Sequence, residues 1–137
     1  MKSLKTLLKI ANRDLETLRR ALAERIAAQT AVEESILALQ QTIAAEQQRA
    51  AQDYESARAF SGYSILAGER RKVMAAEAQS ISAECDHLRE LIAEAHVEMR
   101  KFERLIELQQ ERERKAREKR EDAELDEMAT MRAGRQR

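Results

Sequence analysis

Apolar residues return at alternating steps of three and four from the start of this chain, and the rhythm holds for eight heptads. With Leu8 as an a position, the a set reads Leu8, Leu15, Leu22, Gln29, Ile36, Ile43, Ala50 and Ala57. The d set reads Leu4, Ala11, Leu18, Arg25, Val32, Leu39, Glu46, Asp53 and Phe60. A 3.5-residue repeat kept that long belongs to an α-helix that supercoils left-handedly around a partner. No proline interrupts it. A second seam follows: Met74, Ala78, Ile81, Cys85, Leu88, Ile92, Ala95, Met99, Phe102 and Ile106, flanked at g positions by Leu91 and Leu105.

Between the two registers lies the segment from Phe60 to Gly68, which holds two of the three glycines. Glycine after a helix supplies the left-handed residue that closes the last turn, and Ser64 can cap the helix that follows. The reading is all-α: one domain over residues 1–137, two long helices forming an antiparallel coiled-coil hairpin. Helix 1 is expected at about 4–60, the hairpin tip at 61–68 and helix 2 at 69–130, with 131–137 as a frayed basic tail. That tip sets Leu39 against Leu88 and Leu91, Ile43 against Leu88, and Ile36 near Ala95. At the open end it brings Leu4, Leu7 and Leu8 to Leu125 and Met128. The alternative is one uninterrupted helix in a parallel dimer.

Composition narrows the function. Ala, Glu, Lys, Leu and Arg make 83 of the 137 residues, while Leu, Ile, Val and Phe make only 27. That suits a polar helical rod burying a narrow seam and leaves little for the walls of an enzyme pocket. Arg25, Gln29, Glu46 and Asp53 at core positions fix register and partner choice at a cost in stability. The 25 basic and 25 acidic groups cancel and are well mixed, so nucleic acid finds no basic face. No apolar run is long enough to insert in a membrane. Lys2, Lys5 and Lys9 open the chain without an acid, yet the leucine pattern runs on unbroken, so they read as the start of the first helix. The lone Cys85 excludes an internal disulfide and, at an a position, reads as a small buried hydrophobe.

The pair Glu84 and His87 has the Glu-x-x-His spacing of di-iron bundles, but such sites need two of these motifs and further glutamates. One is present, and Ala93 stands at the matching place before His96. No glycine-rich phosphate loop and no catalytic constellation occurs, so no catalytic, metal or cofactor-binding residue is expected and the chain reads as a non-enzyme.

Two stretches point to protein partners. From Glu111 to Asp122 six bases alternate with five acids, a pattern of i,i+4 pairs such as Glu111–Lys115 and Glu113–Arg117. The apolar seam ends at Ile106, yet Leu125, Met128 and Met131 return beyond, which suits a helix end docking in a polar cavity. Near the expected tip, Tyr54, Phe60 and Tyr63 lie close to Ile65, Leu66 and Val73, either closing the hairpin or forming a docking patch.

The opening Leu4-Lys5-Thr6-Leu7-Leu8 resembles that of flagellar FliJ proteins. Met99-Arg100-Lys101-Phe102-Glu103-Arg104-Leu105, the charged spacer and the closing Leu125-Asp126-Glu127-Met128-Ala129 look like that family's C-terminal half. The resemblance implies a soluble cytoplasmic component of the flagellar type III export apparatus. It also implies a stalk-like role, with the paired helix ends entering the hexameric export ATPase, contact with the membrane export gate protein, and escort of export chaperones. Carried onto this chain, Phe102, Leu105, Arg112, Arg114, Arg117, Arg120, Leu125, Asp126 and Met128 would face the ATPase ring. Tyr54, Phe60, Tyr63, Leu66 and Val73 would face the gate or chaperones. A generic coiled-coil tether, or the equivalent stalk of a non-flagellar secretion system, is the alternative.

Overall fold

In a computed structural model that describes residues 3–135, the chain forms two helices, α1 (Leu4–Ala50) and α2 (Tyr54–Arg135). Ser3 caps α1: its Oγ accepts from the Thr6 amide at 3.3 Å, and its carbonyl accepts from the Leu7 amide at 3.2 Å. These groups satisfy amides that the first turn leaves without an intrahelical partner.

The helices are joined by residues 51–53, not by 61–68 as the sequence implied. Asp53 makes the difference. It was counted as a d position, but its Oδ1 accepts from the Glu55 amide at 3.3 Å and its Oδ2 accepts from Ser56 Oγ at 3.2 Å. Its carbonyl accepts from the Ala57 amide at 3.0 Å. Asp53 is therefore the N-cap of α2, a role worth about 1 kcal/mol. The Gln52 amide donates to the Arg49 carbonyl at 3.0 Å, and no described residue takes a positive φ. The link thus needs no glycine.

Gly62 and Gly68 lie inside α2, and a Cβ built on either meets nothing within 4 Å. They weaken the helix without serving a turn. Gly62→Ala and Gly68→Ala should each raise stability by about 0.5–1 kcal/mol in urea denaturation. A fall in the midpoint would contradict this placement.

By internal contacts the chain divides into two units, Leu15–Glu94 and the two terminal stretches, up to Asp14 and from Ala95 on. Within Leu15–Glu94 the helices run antiparallel. Arg25 Nη1 meets Glu84 Oε2 at 3.1 Å, Cys85 Sγ donates weakly to Gln29 Oε1 at 3.9 Å, and Leu39 shares a groove with Tyr63, Leu66 and Ala67. Leu39 therefore lies against the start of α2 rather than against Leu88 and Leu91. The polar core positions have identified partners: Arg25 reaches out to Glu84, Gln29 meets the Cys85 thiol, and Glu46 pairs with Arg49 at 3.2 Å.

In the terminal unit Leu4 and Leu7 share a groove with Leu105 and Leu108, and Leu7, Ile10 and Ala11 line another with Ala95 and Phe102. The expected contact of Leu4, Leu7 and Leu8 with Leu125 and Met128 does not form, because the earlier link shifts the pairing. Leu125 and Met128 are exposed.

The predicted seams are the buried ones up to Ala50 and from Met74 on, whereas Asp53 and Ala57, counted in the first seam, are exposed. Every a and d position from Leu4 to Ala50 is buried or half-buried, as are all ten seam residues from Met74 to Ile106. The fully buried set is Ala11, Leu15, Leu39, Ala67, Ile81 and Cys85. Half of these are small, so the core is thin, and burial of the few large residues carries most of the hydrophobic stabilisation.

Candidate protein-binding surfaces

The first surface is the grooved flank of the terminal unit. Leu7 and Phe102 are half-buried, and Ile10, Leu105 and Leu108 are about two-fifths exposed, at 40%, 40% and 38%. They line two adjoining grooves, the larger about 670 Å³, with Arg112 at one end and Asp14 and Glu98 at the other. Phe102, Leu105 and Arg112 were expected at a binding end. Ile10 and Leu108 line the same grooves but were not singled out in the sequence, because they stand off the a/d seam, where single apolar residues carry no periodic signal.

The second surface is the distal part of α2. Glu113 still shares a groove with Leu4 and Lys5 of α1. From 114 to 135 the helix continues with every residue exposed, a length of about 33 Å at 1.5 Å per residue. The basic tail expected from 131 is helical as far as Arg135, while Arg137 and Lys2 lie outside the described residues. The helix supports itself here by charge pairing along one face. Arg114 Nη2 binds Glu111 Oε1 at 2.6 Å, Arg114 Nη1 binds Glu118 Oε1 at 2.7 Å, and Lys115 lies 4.0 Å from Glu111. The Arg114 hydrogen bond and charge hold the Glu111 carboxyl below its ordinary range, and Glu111 raises Arg114 in turn.

The expected Glu113–Arg117 pair does not form. Among the described residues Arg112, Arg117 and Arg120 make no ion pair, so these guanidinium groups are left for solvent or a partner. Beyond them Leu125, Met128, Ala129 and Arg132 share a face, with Leu125 64% and Met128 53% exposed. Asp126 keeps its carboxylate free, and its carbonyl accepts from Thr130 Oγ1.

The third surface lies at the start of α2. Phe60 and Tyr63 are half-buried and pack ring against ring at 6.2 Å and 41°. Tyr54, Leu66 and Val73 are strongly exposed, as is Ile65. At 100° per residue, Ile65, Leu66, Glu69 and Val73 fall within an arc of about 100°, turned away from the buried Ala67 and half-buried Met74. The five residues expected at the tip thus divide: two aromatics close the seam, and three apolar side chains face outward.

Among the described residues no group of three or more His, Cys, Asp or Glu is placed to hold a metal ion, and Glu84 of the Glu-x-x-His motif is taken by Arg25. No helix of the described residues is long and apolar enough to cross a membrane.

A thin paired seam with three open apolar faces defines an all-α coiled-coil hairpin protein whose chemistry is that of surfaces. The family model described as "Flagellar FliJ protein" matches residues 1–137, the whole chain. The chain belongs to the FliJ family and is a component of flagellar type III protein export. No curated protein and no solved structure matches it significantly.

Proposed function

We propose that this chain is the central stalk of the hexameric export ATPase, with further contacts to the membrane export gate and to export chaperones, acting in the cytoplasm at the flagellar base. The stretch of α2 from 114 to 135 carries this reading, since nothing among the described residues covers it. A helix that leaves its partner and keeps alternating charge can meet the subunits of a ring in turn. Exposed ion pairs are individually weak, about 0–1 kcal/mol, so they exchange easily as subunits move. Leu125 and Met128 supply the apolar anchor that charge alone lacks. The outward face of Ile65, Leu66 and Val73 is then free for the gate or for chaperones.

Deleting residues 114–135 should abolish co-purification with the hexameric ATPase while the rest of the chain keeps its helical circular-dichroism signal. A truncated chain that still co-purifies with the ring overturns this assignment.

A further inference from the structure

The grooved flank of the terminal unit carries a charge pattern that fits itself. Glu98, Leu105 and Arg112 stand seven residues apart on one face of α2, an acid, an apolar residue and a base in equal steps. Leu105 and Leu108 are exposed beside Leu7 and Ile10, so this face is apolar in the middle and oppositely charged at its ends. Among the described residues Arg112 has no ion pair, and Glu98 makes only a long one, 4.0 Å to Lys101.

We propose that this face binds the same face of a second copy of the chain, in an antiparallel twofold dimer with Leu105 at the axis. An isologous interface requires a self-complementary patch. Antiparallel apposition about Leu105 sets Glu98 of each copy opposite Arg112 of the other, a pairing that occurs twice. An unrelated partner would not require the acid and base to be equidistant from the central leucine, whereas a second copy does. Such a dimer covers Leu105 and Leu108 in both copies and buries the flank that lies next to the distal helix.

The test is the mass of the full-length chain by light scattering across a concentration series. It should rise from that of one 15.7 kDa chain toward twice that value. Glu98→Arg and Arg112→Glu should each weaken the dimer about tenfold, since two cross-copy pairs turn repulsive. The double variant, with both charges exchanged, should recover it. A single-chain mass at every concentration, or a double variant no better than either single one, overturns the proposal. As an independent reading, Leu105→Cys should form a covalent dimer under mild oxidation and Val97→Cys should not, although Val97 is the more exposed at 67%. Equal cross-linking at both positions also overturns it. A chain that stays monomeric but binds the ATPase ring sinks the dimer alone and leaves the stalk reading standing.

Discussion

Leu15→Ala should lower the stability of the hairpin by roughly 2–4 kcal/mol, the cost of removing a buried leucine and leaving part of its volume empty. Leu15 is 3% exposed, whereas three of the other five fully buried residues are alanine or cysteine. A two-helix seam has no third layer to collapse into the space, so little of the loss is recovered. Leu37→Ala is the internal control. At 56% exposure Leu37 contributes little burial, and its truncation should fall within about 0.5 kcal/mol of the parent. Urea denaturation followed by circular dichroism gives both values. If Leu37→Ala costs as much as Leu15→Ala, the assigned core face of α1 is wrong.

Leu66→Asp combined with Val73→Asp should separate the two proposed sets of partners. Both side chains point outward, 73% and 66% exposed, so charging them leaves the seam and the helical signal intact. On the proposed reading, binding to the export gate or to chaperones should weaken by at least about 100-fold, because two apolar anchors become desolvated charges. Binding to the ATPase ring should be unchanged. Pull-downs against each partner in parallel decide it, and equal loss on both sides would mean that the outward face of α2 is not a separate docking surface.

The seams were legible in the sequence because a period of 3.5 leaves a trace in every heptad, and the residues it marked, from Leu4 to Ala50 and from Met74 to Ile106, are those the structure buries. The link was not. Glycines at 62 and 68 are the louder local signal, and a lone aspartate in a charged sequence is a quiet one. The second register, followed backwards in its own steps, passes the exposed Arg71 and then reaches Ala67, Ser64 and Phe60, all three buried or half-buried. That continuity already placed the glycines inside a helix. Asp53 followed by Glu55 also fits a capping residue with an acid in the first turn. The error moved every cross-helix pair, which is why Leu125 and Met128 were expected under cover and are exposed instead. The residues proposed for binding were legible in kind only. Residues off the seam, such as Ile10, Val97 and Leu108, need the second helix in place before they read as a surface.

The link at 51–53 also orders events in time. Leu39 and Ala67 meet across a short loop, whereas Leu4 and Leu108 meet only after most of the chain is available. Loop-closure entropy favours the nearer contact first. Pairing should therefore zip outward from Asp53, one heptad after another, and reach Leu4 last. Residues 114–135 lie beyond the last step of that zipper, so the segment proposed to enter the ring takes no part in closing the hairpin.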